Sequence, residues 1–100
     1  MRRWDRFVDL YMELYSARGV SAASVAYTAS RLERWGWWLK QRRPRVRIEQ
    51  IDAELITRYI ESCSTFRAKA TVYGALSSMR GFGDYLAREG VWTKIGRAHV

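Results

Sequence analysis

Two sets of side chains in this 100-residue chain combine positive charge with hydroxyl groups at helical spacing. Ser24, Tyr27 and Arg31 form one set; Lys69, Tyr73, Ser77 and Arg80 form the other. On an α-helix, steps of three and four residues bring each set onto one face. Ammonium, guanidinium and hydroxyl donors gathered there suit the oxygens of a phosphate. Near a helix start they are joined by unpaired backbone N–H groups and the positive end of the helix dipole. The chemistry on offer is recognition of a polyanion, with Arg18 and Arg43 as auxiliary phosphate contacts. An ordinary solvated helix face has the same spacing, so the pattern alone leaves both readings open.

Covalent and metal chemistry have no comparable support. His99 is the single histidine and Cys63 the single cysteine, so neither a hydrolase triad nor a thiolate metal cluster can be assembled. No glycine-rich loop precedes a Lys-Ser or Lys-Thr pair in the phosphate-cradling pattern. Glu33, Asp52, Glu61 and Asp84 are scattered singly and read as surface, capping or ion-pair positions. No catalytic residue, cofactor or metal ligand is assigned. The lone thiol fits a reducing compartment, and no apolar run approaches the roughly 20 residues that cross a bilayer. Met1 to Asp5 is charged and lacks a signal-peptide core, so a cytoplasmic protein without a membrane partner is expected.

Composition agrees with a packed domain that meets a polyanion. Hydrophobic residues make up 48% of the chain, with five Trp and six Tyr, which argues against a disordered tail. Lys and Arg number 18 against 10 Asp and Glu, a formal charge of +8, and most of the cations are arginine. Arginine forks bind phosphate and guanine in pairs of hydrogen bonds, although a GC-rich coding sequence would enrich arginine as well. One domain is expected.

The elements that must position these residues are helices. Trp4, Phe7, Val8, Tyr11, Leu14 and Tyr15 recur at helical spacing and predict a first helix from about Arg3 to Ala17, ended by Gly19 in the left-handed conformation. Ser21 or Ser24 can cap a second helix that reaches about Gln41. Its apolar stripe is Val25, Thr28, Ala29, Leu32, Trp35 and Leu39, and Pro44 stops it. Trp35 and Trp38 read as core or rim, whereas Trp37 cannot share their face and is expected to be exposed. Arg42, Arg43, Arg45 and Arg47 lie in the following connection, and Ile48 and Ile51 return the chain to the core. Asp52 is placed to cap a third helix over Ala53 to Ser62, with Ile51 and Ile56 as a hydrophobic staple. A polar connection, Ser62 to Lys69, leads to a fourth helix over about Ala68 to Arg88, and Gly90 ends it. Gly74, Gly81 and Gly83 each cost that helix about 1 kcal/mol relative to alanine, which puts its continuity in question unless close approach to a neighbour requires them.

Residues 94–100, Lys-Ile-Gly-Arg-Ala-His-Val, look like a translated sequencing adapter. Residues 1–92 are therefore read as the domain, and 93–100 as a non-native or disordered tail without functional weight.

The order of these features resembles the N-terminal SAM-like, or core-binding, domain of tyrosine recombinases and phage integrases. The resemblance is carried by the Phe7-to-Leu14 opening helix, by Arg18-Gly19-Val20-Ser21, and by Ser24-x-x-Tyr27-x-x-x-x-Leu32-x-x-Trp35-x-x-Trp38-Leu39. Ile48-x-x-Ile51-Asp52-x-x-Leu55-Ile56-x-x-Tyr59-Ile60 follows. The strongest stretch runs from Ala75 to Gly90 through Leu76, Ser77, Arg80, Phe82, Tyr85 and Leu86. The departures are Ser24, where threonine is frequent, and Gly81 and Gly83, where bulkier residues are usual. The resemblance implies an all-α, four-helix SAM-like bundle whose second and fourth helices face double-stranded DNA. It also implies that this domain closes a C-shaped clamp around the recombination site together with a separate catalytic domain of the same parent chain. The tyrosine nucleophile and its Arg, Lys and His partners belong to that second domain, so no tyrosine here is assigned as a nucleophile and the fragment is not expected to be an enzyme. Other recombinase protomers are further partners that the resemblance allows. Two rival readings stand beside it: a free-standing helix-turn-helix regulator, and a basic helical module that binds protein through Trp37 and the first-helix aromatics.

Overall fold

The apolar spacing of the chain is realised as four helices, and no strand occurs among the described residues. The computed structural model describes residues 2–66 and 69–92, without the side chains of residues 2, 64–66, 69 and 70. The expected tail, with His99, lies outside the described residues. Helix α1 covers Arg2–Ser16, α2 Ala22–Arg42, α3 Ala53–Phe66 and α4 Lys69–Arg88, with a single 3-10 turn at Ile48–Gln50 between α2 and α3.

Local chemistry accounts for the ends. Gly19 and Gly90 follow α1 and α4 with φ of 78° and 77°, the left-handed region in which only glycine is unstrained. Ser21, not Ser24, caps α2: its Oγ accepts from the Ser24 backbone N–H at 3.1 Å and donates to the Ser24 hydroxyl at 3.0 Å. Asp52 Oδ1 accepts from the Leu55 N–H at 2.9 Å and so opens α3, with Ile51 and Ile56 buried on either side of the cap.

The third helix runs one turn further than the sequence suggests. The stretch from Ser62, read as a polar connection, continues α3 to Phe66. The reason is Cys63, which is buried and falls on the same face as Leu55, Ile56 and Tyr59, so the apolar period persists past the first serine. Leu14 departs in the other direction: placed in the apolar stripe of α1, it is 55% exposed.

The core is an aromatic nest. Trp4 stands edge-on to Trp35 at 4.9 Å and to Phe82 at 5.1 Å between ring centroids, and its Nε1–H donates to the Leu32 carbonyl at 3.3 Å. Tyr11 meets Phe82 and Tyr85, and Tyr59 stacks on Trp35 at 6.0 Å. Trp92, which the periodicity of α4 does not include, closes the nest against Trp35 and donates to the Ile48 carbonyl at 2.6 Å. Ile48 and Ile51 are buried beneath it, as their place in the chain suggested.

Glycine inside the helices serves close approach. α4 is unbroken through Gly74, Gly81 and Gly83. At Gly81 an added Cβ would come within 2.5 Å of the Tyr11 hydroxyl on α1, and at Gly36 within 2.6 Å of Trp4 Cδ1. Replacing Gly36 with alanine should therefore destabilise the fold by about 1–3 kcal/mol through overpacking, despite the better helix propensity of alanine. Urea unfolding measures the change, and a variant as stable as the parent would contradict this account of the Trp4 seat.

Candidate nucleic-acid interface

The candidate residues divide between one seam and two outlying positions. α2 packs directly against α4, and Arg31 bridges them. Its guanidinium carbon lies 5.8 Å from the centre of the Tyr27 ring one turn earlier on α2, within cation–π range. Across the seam its Nη1 lies 3.5 Å from the Ser78 hydroxyl, a long hydrogen bond, and its terminal atoms rest on the α4 backbone at Gly74. Arg31 is half-buried as a result, while Tyr27 stays 64% exposed.

On α4 the residues beside that contact point outward. Tyr73 is 71% exposed, and Ser77 and Arg80 are also exposed. They form one strip along the outer side of the helix, opposite Met79, Phe82 and Leu86 in the core. Six residues at about 100° each place Arg80 some 120° around the axis from Gly74, so it extends the strip away from Arg31 instead of sitting beside it. Lys69 opens α4, but its side chain lies outside the described residues. Ser24 is half-buried in the first turn of α2 beside the cap.

Arg18 precedes α2 and Arg43 closes it, and among the described residues no contact joins either to this group. Arg18 is exposed past the end of α1, with its guanidinium 5.8 Å from the Tyr15 ring. Arg43 closes the far end of α2, where its backbone N–H donates to the Leu39 carbonyl at 2.8 Å. Twelve residues of helix separate it from Arg31, about 18 Å along the axis. Sequence reasoning singled out Gly74 as a point of close approach but did not name Arg31 as the neighbour, and it missed Ser78. Gly74 and Ser78 lie four residues apart on the flank of α4 that meets α2, and a pair of small residues at that spacing was the available signal.

Neither α2 nor α4 has an acidic residue in its first turn, whereas α1 has Asp5 and α3 has Glu54. The positive dipole ends of α2 and α4 are thus not offset by a local carboxylate, which favours an anion there. Among the described residues no three His, Cys, Asp or Glu side chains gather as a metal site requires. No helix of the described residues is long and apolar enough to cross a membrane.

The core tyrosines are poor candidates for nucleophiles. Burial raises the hydroxyl pKa of Tyr11 above the ordinary tyrosine value, with the Arg18 guanidinium opposing the shift, and burial raises that of Tyr85. Both are protonated in the fold at a pH where an unfolded tyrosine ionises. Their contribution to stability is complete below the unfolded value of about 10 and is lost as pH rises through the folded values. The melting temperature should therefore fall on alkaline titration above about pH 10, and a Y11F/Y85F double variant should lose less. Equal losses in parent and variant would show that other groups govern the alkaline limb.

A family model described as phage integrase, N-terminal SAM-like domain, matches residues 8–90. No curated protein and no solved structure matches the chain.

Proposed function

Because the chain belongs to the phage integrase N-terminal SAM-like domain family, we propose that it grips duplex DNA at a recombination site along the α2–α4 seam. The observation that supports it most is the Arg31 bridge, which joins the hydroxyl-bearing flanks of two long helices and leaves Tyr27, Tyr73 and Ser77 exposed, with Arg80 exposed further round α4. A B-DNA major groove is wide enough to admit a helix, and side chains along such a seam reach the phosphates at its rim. Arg18 and Arg43, outside the seam, are auxiliary phosphate contacts that orient the duplex without reading sequence.

The same reading extends to wider partners. Strand cleavage belongs to a catalytic domain of the parent recombinase, which closes on the opposite side of the duplex, and other protomers meet it at the recombination site. The protein-binding alternative keeps only part of its surface, since Trp4 and Tyr11 of α1 are buried and Trp37, 64% exposed, is left without them. A helix-turn-helix regulator would be built on shorter elements than α2 and α4, which have 21 and 20 residues.

A salt titration of binding to random duplex, read by fluorescence anisotropy, tests the proposal. The logarithm of the binding constant should fall linearly with the logarithm of salt concentration, by about 0.9 per phosphate neutralised. Arg80→Ala should lower that slope by about 1. Arg58→Ala, on α3 and paired with Glu54, should leave it unchanged. Binding that ignores salt, or an Arg58 variant that matches the Arg80 variant, would overturn the assignment of this face.

A further inference from the structure

Gly74 has no conformational reason to be glycine. It lies inside α4, and the glycines with positive φ are Gly19 and Gly90. Glycine is the poorest helix former after proline, so its presence one turn into a helix calls for a steric explanation. That explanation is Arg31. A Cβ at position 74 would overlap Arg31 Nη2 and stand 2.6 Å from Cζ, closer than side-chain carbons approach one another. The guanidinium is thus held between the Tyr27 ring, the Ser78 hydroxyl and the bare backbone of α4.

We infer that Gly74 is the seat of Arg31, a positioning residue that fixes the guanidinium on the α2–α4 seam in the orientation from which it meets a DNA phosphate. The inference rests on the duplex-binding reading for its ligand, but the seat itself does not. Arginine carries five N–H donors, and Ser78 engages one edge at long reach, so donors remain for an incoming phosphate. A free arginine loses rotamer freedom when it binds, whereas one already held by the fold has lost that freedom beforehand and binds more tightly for it. A lysine is not equivalent, because its single point charge lacks the planar fork whose separate edges meet Ser78 and α4 and still leave donors over.

The test is a double-variant cycle on the whole chain, with melting temperature and duplex affinity at fixed salt as separate readouts. Gly74→Ala should push the flexible end of Arg31 off α4 and weaken duplex binding by about tenfold, the effect of one well-placed arginine contact. In the parent the loss of the Arg31 contacts should offset the better helix propensity of alanine, whereas in an Arg31→Ala background the same change should raise the melting temperature in full, since the space is vacant. It should then have no further effect on affinity. An equal increase in melting temperature in both backgrounds would overturn the seat, whatever DNA does. A smaller gain in the parent with the affinity of Arg31→Ala unchanged would overturn the positioning role while keeping the packing. Failure of the unmodified chain to bind duplex removes the duplex reading, and the difference in melting between the two backgrounds alone then decides the seat. Should Gly74→Ala fail to fold, folding of the double variant supports the seat, and failure of both overturns it.

Discussion

The bundle is organised around the indole of Trp4. It enters edge-on between Trp35 of α2 and Phe82 of α4, hydrogen-bonds a carbonyl of α2, and lies against a position where α2 has no side chain. Each edge-to-face pair adds about 0.5–1.5 kcal/mol beyond the area it buries, so one residue of α1 sets the spacing of the other two helices. Trp92 completes the arrangement from the opposite end of the chain, with its N–H satisfied by Ile48. The nest is not free of cost: the buried indole N–H groups of Trp35 and Trp38 find no acceptor among the described residues.

This central packing determines what the surface can do. With α2 and α4 held together, the flanks that remain outside carry the hydroxyls and cations, and Asp84 is the acidic residue that shares the exposed side of α4 with Arg80. Elsewhere charge is spent locally. Arg3 pairs with Glu49, Arg58 pairs with Glu54, and Arg42 lies over Trp38. Basic residues are therefore not equivalent: Arg3 and Arg58 face a carboxylate that partly neutralises them, whereas Arg31 is held by uncharged partners and keeps its full charge. The net charge of +8 favours approach of a polyanion in general, and the proposed seam is a narrower claim about where one would be held.

Much of this architecture was legible in the residues. Helix placement follows from period and caps, because Gly19, Ser21, Asp52 and Gly90 each act on backbone groups within a few positions of themselves. The exposure of Trp37 followed from its offset relative to Trp35 and Trp38. Features that depend on a second helix were not legible. The role of Gly74 needs the crossing of α2 over α4, and Trp92 needs a carbonyl 44 positions earlier in the chain. The overrun of α3 was hidden by serines, whose preference for caps and turns is overridden once Cys63 finds a buried place. Of the candidate face, the shared side of α4 that Tyr73, Ser77 and Arg80 occupy could be read from spacing, but the burial of Arg31 against its neighbour could not.

Cys63 gives the fold an internal clock. Its sulfur is enclosed on the inner face of α3, and it is the chain's single cysteine. A thiol reagent can reach it only while α3 is lifted away from its neighbours, so the speed of modification counts those excursions directly. Since α3 packs against α4 but carries none of the residues of the seam, such counting follows breathing of the bundle behind α4 without placing a label among those residues.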